Sequence, residues 1–152
     1  MQNYIKTLKG RLDSLTELRI ERARLAMNEP SVQVFDLLPV LLHYNHPALP
    51  GYLDQQVPQG IAHFIVTDVQ QQFVNDCSRT AIMPIEPLLV ADADCPITGL
   101  YAMGSTSSMG QSLTSDLDIW VCIPTSLNRH RREALDRKCS LVSQWAMEQG
   151  VE

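Results

Sequence analysis

The sequence predicts a mixed α+β (α/β) protein in which helices come first and a small strand-containing core follows. Three observations carry this reading. Apolar residues recur every three or four positions before residue 45, prolines and glycines crowd residues 47–60, and two short apolar strand patterns flank a run of small residues after Pro96. The 152 residues suit about one ordinary domain, and 45% hydrophobic with 19% charged residues is a soluble, core-forming composition.

Residues 3–27 place Ile5, Leu8, Leu12, Leu15 and Leu18 on one stripe with Lys6, Lys9, Arg11, Glu17 and Arg19 between them, which predicts an amphipathic helix. A coiled-coil seam would carry Arg19 and Arg22 on its apolar stripe, so this helix is expected to pack against its own domain. Pro30 opens a second helix over 31–44, with Phe35, Leu38, Leu41 and Leu42 as its apolar face and Pro39 as a bend. The stretch HPALPGYLDQQVPQG predicts an ordered loop. Residues 61–66 suggest a short strand, and Thr67 with Gln70 has the spacing of a capping box opening a helix to about Ser78. Pro84, Pro87 and Pro96 mark a connection, which divides the chain into a mainly helical 1–95 and a second segment, 96–152.

In that second segment, 97–103 reads as a strand, 104–113 as a turn and short helix, and 117–123 as another strand. A long helix over 128–149 follows, with Leu135, Cys139, Val142, Trp145 and Ala146 on one face and Gly150 to end it. So few strands make a thin sheet, and the sequence is expected to be part of a longer chain that completes it.

Net charge −5 and a pI near 5.3 argue against a broad polyanion-binding surface, so nucleic acid is not an expected partner. No run approaches the roughly 18–20 apolar residues of a membrane span, and MQNYIKTLKGRLDSL lacks the apolar core of a secretory signal. A cytoplasmic protein is the expectation. Cys77, Cys95, Cys122 and Cys139 form no C-x-x-C pair and read as apolar fillers.

The chemistry concentrates in GSTSSMGQSLTSDLDIWVCI, residues 104–123. In an extended chain Asp116 and Asp118 share one face, with their backbone positions about 6.6 Å apart. Two carboxylates so placed repel each other unless a cation sits between them. Mg²⁺, which takes carboxylate, water and phosphate oxygens, is the expected ion, singly or as a pair. Upstream, Gly104 allows close backbone approach, and Ser105 with the amides opening the short helix offers donors to phosphate oxygens. Asp92 and Asp94 repeat the spacing without an upstream Gly-Ser or a following apolar strand, and read as loop.

Gly-Ser, ten residues, then Asp-x-Asp on a strand resembles the signature of the DNA polymerase beta-like nucleotidyltransferases. More narrowly, LYAMGSTSSMGQSLTSDLDIWVC, with LLPVLLHYNHPALPGYL and RKCSLVSQW, is similar to the N-terminal part of the class I bacterial adenylate cyclases, over essentially all 152 residues. The resemblance implies a partial nucleotidyltransferase core in 96–152. It implies attack of the 3′-hydroxyl of ATP on the α-phosphorus with loss of pyrophosphate, two Mg²⁺ ions on Asp116 and Asp118, and Gly104 and Ser105 on the triphosphate. Ser107, Ser108 and Gln111 are further candidates for phosphate or ribose; the two serines serve equally as helix caps. A third carboxylate, expected on the next strand, is either Glu152 or lies outside this sequence. In the latter case the chain alone is expected to be inactive.

Within 128–138, Arg129, Arg131, Arg132, Arg137 and Lys138 make a basic cluster that reads first as the solvated face of a helix. Arg137 and Lys138 are the better candidates for a triphosphate contact. The family also implies regulation by the sugar phosphotransferase system through a C-terminal region not present here. Two other functions stay open: a nucleotidyltransferase acting on an alcohol, RNA or protein acceptor, and a non-catalytic nucleotide-binding module.

Overall fold

The computed structural model describes residues 2–80, 95–106, 110, 112, 113 and 115–151. Four helices and one two-stranded sheet appear in the order α1 Gln2–Ala26, α2 Glu29–His43, α3 Asp68–Thr80, β1 Gly99–Ala102, β2 Ile119–Cys122 and α4 Arg129–Glu148. This is the expected mixed α+β arrangement with a helical first part.

Local chemistry sets the helix ends. Asn28 stays extended and its side chain accepts the Ser31 amide at 2.8 Å, while Pro30 occupies the first turn of α2, where its missing N–H costs nothing. The capping box before α3 forms in both directions: the Thr67 amide donates to Gln70 Oε1 at 2.9 Å and the Gln70 amide to Thr67 Oγ1 at 3.4 Å. Asn128 caps α4 by accepting the Arg131 amide at 2.9 Å. Gly150, with φ +82°, then turns the chain in a conformation that other residues rarely adopt.

The core lies between α2, α3 and α4. Val40, Leu41 and Leu42 meet Leu135 and Val142 of α4, Val74 of α3, and Leu49, Ile61 and Ile97 from the connecting segments. Residues before and after position 95 therefore share one core. The 47–60 segment is an ordered loop, as its prolines predict, held by Asn45. The Asn45 side chain donates to the Leu53 carbonyl at 2.9 Å and accepts the Leu53 amide at 3.1 Å, while the Asn45 backbone N–H donates to Gln59 Oε1.

Two expectations are corrected. The apolar stripe of α1 does not pack on the domain: Ile5, Leu8, Leu12, Leu15 and Leu18 are all exposed, Leu12 and Leu18 to 61% each. Among the described residues of this segment, Ala23 and Met27, where the chain turns into α2, are the buried ones, and an Arg24–Asp36 ion pair at 2.8 Å fastens that end. Residues 61–66 form no strand. Ile61 makes a single parallel bridge to Ile97, and His63, at φ +59°, turns the chain out of the extended conformation.

Candidate functional site

Strands β1 and β2 pair antiparallel with Gly99 opposite Cys122, Leu100 opposite Val121, Tyr101 opposite Trp120 and Ala102 opposite Ile119. The regular strands are shorter than the sequence suggested, so Asp116 and Asp118 lie just ahead of β2 rather than inside it. The ladder nonetheless reaches them: the Met103 amide donates to the Asp118 carbonyl at 2.8 Å. Side chains alternate from Ser115 onward, with Asp116, Asp118 and Trp120 exposed and Leu117 and Ile119 partly covered. Leu100 and Val121, on the opposite face, pack against the core.

Gly104 follows Met103 in a left-handed conformation, φ +59°, and a Cβ added there would stand 2.9 Å from Asp118 Oδ2. The loop backbone is thus laid directly against the carboxylate. Glycine is favoured here by its φ, whereas the exposed Asp118 carboxylate could swing aside for a Cβ. This is the closest structural expression of the Gly-Ser and Asp-x-Asp spacing. Two sequence-distant parts of the candidate site meet because the hairpin folds them together.

Thr106, next after Ser105, is buried, and Leu113 at the far end of the loop is tied to the helical part by the Asn28 side chain, which donates to its carbonyl at 2.9 Å. Ser112 and Ser115 brace the turn before Asp116: the Ser112 amide donates to Ser115 Oγ at 3.0 Å, and their hydroxyls lie 2.9 Å apart. Neither serine was singled out from the sequence. Ser107, Ser108, Gln111 and Glu152 lie outside the described residues, as do Asp92 and Asp94.

Lys138 has a different setting from the exposed basic face expected of its neighbours. Its side chain is fully buried, and Nζ donates to Asn45 Oδ1 at 3.2 Å and to the Gly51 carbonyl at 3.3 Å. Burial lowers its pKa to about 8. The amine therefore fastens the 47–60 loop to α4. Arg137 is exposed, and Arg129 pairs with Glu133 at 2.7 Å on the solvent side. His43 Nδ1 accepts the Ile61 amide at 2.9 Å, a packing role, and burial lowers its pKa. The four cysteines are free thiols.

Asp116 and Asp118 give an exposed pair of hard oxygen donors on one face, beside a backbone that closes on Asp118. That donor set suits Mg²⁺ as two of its ligands, with water or phosphate oxygens supplying the rest. No group of three or more His, Cys, Asp or Glu is placed to hold a metal ion among the described residues. A cavity of about 560 Å³ lies against the sheet, lined by Leu100, Ala102 and Ile119 together with Ala23, Leu38 and Pro39, and also by Tyr101 and the charged Arg19, Arg24 and Asp36. Asp116 and Asp118 are not among its lining residues. Among the described residues, no helix is long and apolar enough to cross a membrane.

The hairpin with its glycine-backed acidic pair packs on the helical core through Leu100 and Val121. Residues 4–152 match the family described as the adenylate cyclase NT domain, and the chain belongs to that family. It is 48% identical over 152 residues to an adenylate cyclase of Escherichia coli strain K12, 49% over 153 residues to one of Proteus mirabilis, and 48% over 152 residues to one of Yersinia pestis. Each alignment covers 100% of this chain and 18% of the relative. The chain thus spans about a fifth of the length of these curated relatives. No solved structure matches.

Proposed function

We propose that this chain supplies the triphosphate-binding loop and two metal-binding carboxylates of a bacterial adenylate cyclase, the rest of the catalytic site coming from the C-terminal remainder of the same polypeptide. The observation that carries this is the approach of Gly104 to Asp118, which joins a phosphate-type loop to an acidic pair in one exposed site. The similarity of the full chain to relatives named adenylate cyclase supports the choice of reaction.

In this reading the backbone at Gly104 and Ser105 receives the triphosphate of ATP, with Ser107, Ser108 and Gln111 as further phosphate or ribose contacts. Asp116 and Asp118 hold Mg²⁺, in one or two ions, and Glu152 or a residue beyond it completes the set. Bound Mg²⁺ offsets phosphate charge and makes the ribose 3′-hydroxyl more acidic. The 3′-oxygen forms a bond to the α-phosphorus, the bond to the bridging oxygen of the β-phosphate breaks, and cyclic AMP and pyrophosphate result, with the hydroxyl proton passing to solvent or a base. No protein nucleophile is involved. Lys138, spent on Asn45 and Gly51, positions the loop rather than the substrate in this scheme. A cytoplasmic setting follows from the choice of ATP, and control by the sugar phosphotransferase system would act outside this segment. The chain by itself is expected to form no product.

The test is product analysis with the intact polypeptide and MgATP. Cyclic AMP and pyrophosphate should form, and Asp116→Ala or Asp118→Ala should lower the rate by on the order of a thousandfold or more without unfolding, since both side chains are exposed. Nucleotide transfer to an added alcohol, RNA or protein would point to the acceptor-dependent nucleotidyltransferase. Binding without product would point to the non-catalytic module.

A further inference from the structure

Two large aromatic side chains stand on the outer face of the sheet with no cover among the described residues. Tyr101 is 58% exposed and Trp120 62% exposed, and they are directly opposite each other in the β1–β2 register. A cross-strand pair has its Cβ atoms about 5 Å apart, so the two rings occupy one patch. Exposed tryptophan and tyrosine side by side are costly to leave in water and usually mark a binding surface.

The patch adjoins the acidic site. Trp120 lies two residues from Asp118 in an extended segment, so both side chains project from the same face, with about 6.6 Å between their backbone positions. Gly104 closes on Asp118 from the β1 side. The Tyr101 ring fills the space over Gly99, where an added Cβ would stand 2.8 Å from Tyr101 Cε2, so the tyrosine lies along the strand towards Gly99. One face therefore runs from a backbone loop and two carboxylates to an uncharged aromatic surface, within the reach of a single nucleotide.

We propose that Trp120, with Tyr101 beside it, is the platform on which the purine base of the nucleotide stacks. The proposal rests on the reading of Gly104, Asp116 and Asp118 as the phosphate–metal end of the site. An aromatic face suits the base because every nucleobase presents a π surface to stack, and the indole of Trp120 is itself uncharged. On the inner face, Leu100 and Val121 pack against the core, and neither offers an aromatic surface.

The test compares two ligands on the intact polypeptide by calorimetry: MgATP, and Mg-tripolyphosphate, which has the phosphates but neither base nor ribose. Trp120→Leu should raise the Kd for MgATP roughly tenfold, the scale of one lost stacking contact, and leave that for tripolyphosphate within about twofold. Trp120→Phe, which keeps an aromatic face, should bind MgATP nearly as the unaltered protein does. Tyr101→Leu provides a second variant should Trp120→Leu misfold, and should weaken MgATP selectively but less. Equal weakening of both ligands by a folded leucine variant, or unchanged MgATP binding, would overturn the platform while leaving the phosphate–metal reading intact. Should the unaltered protein bind neither ligand, the phosphate–metal reading fails and the platform falls with it.

Discussion

Lys138 and the Asp116–Asp118 pair are charged positions that the fold treats in opposite ways. The lysine is fully covered and its ammonium is held by Asn45 and Gly51. The aspartates stand exposed on the outer face of the hairpin, with a glycine backbone pressed against one of them. A buried charge must be satisfied within the protein, because leaving it unpaired in low dielectric costs several kcal/mol. An exposed pair of like charges carries no such obligation and remains available to a cation. The difference separates a charge that secures the architecture from charges that we propose receive a metal ion. It predicts that the two kinds of position fail differently when altered.

The largest effect on stability is expected at the lysine. Lys138→Ala removes the donor shared by Asn45 and Gly51 and opens a cavity, and should destabilise by about 2–4 kcal/mol in urea unfolding. Lys138→Met, which keeps most of the volume, should cost less. A further signature is pH dependence. The amine titrates near 8 when folded and near 10.5 otherwise, so between those values the unfolded chain binds more protons and stability gains as pH rises. Relative to Lys138→Met, the protein should gain up to about 3 kcal/mol between pH 8 and 10.5. The half-buried Cys139 thiol has an opposing trend, its raised pKa eroding stability above pH 9, and because Lys138 holds that pKa down the erosion should be greater in Lys138→Met. A flat difference between the two proteins would break the contrast with the aspartates.

At Gly104 the effect is smaller on stability and larger on activity. Gly104→Ala forces a side chain into a left-handed φ and towards Asp118 Oδ2, which should cost about 1–2 kcal/mol. Cyclase activity of the intact protein should fall by roughly ten- to a hundredfold, because the carboxylate must move. The smallest effect belongs to α1. Leu12→Gln should change the stability of this region by less than about 0.5 kcal/mol, since Leu12 is 61% exposed. A loss above 2 kcal/mol in the intact protein would show that other parts of the polypeptide cover the stripe.

Much of the fold was legible where the signal is local. Thr67 and Gln70 form the capping box their spacing predicts, the prolines of 47–60 make an ordered loop, and Gly150 ends α4. What failed depends on information that periodicity does not contain. The 3.6-residue pattern of α1 says which side is apolar but not what covers it. The left-handed turn at His63 has no glycine or asparagine to announce it. Lys138 reads as one more charge on a basic helix, because its partners, Asn45 and Gly51, lie roughly ninety residues away in sequence. In the site, the acidic pair and Gly104 were legible from their spacing, whereas the contact between them arises only when β1 pairs with β2. Trp120 is obscured by its hydrophobicity: counting it as strand filler hides that period two places it on the carboxylate face.

The central claim is that the exposed aspartate pair holds a divalent ion. Mn²⁺ binding to the intact polypeptide, followed by the loss of the free-ion electron paramagnetic resonance signal with no other chelator present, tests it most directly. The Asp116→Asn, Asp118→Asn double variant should bind Mn²⁺ at least about a hundredfold more weakly while keeping its helical circular dichroism. Unchanged Mn²⁺ affinity in that folded variant would contradict the account.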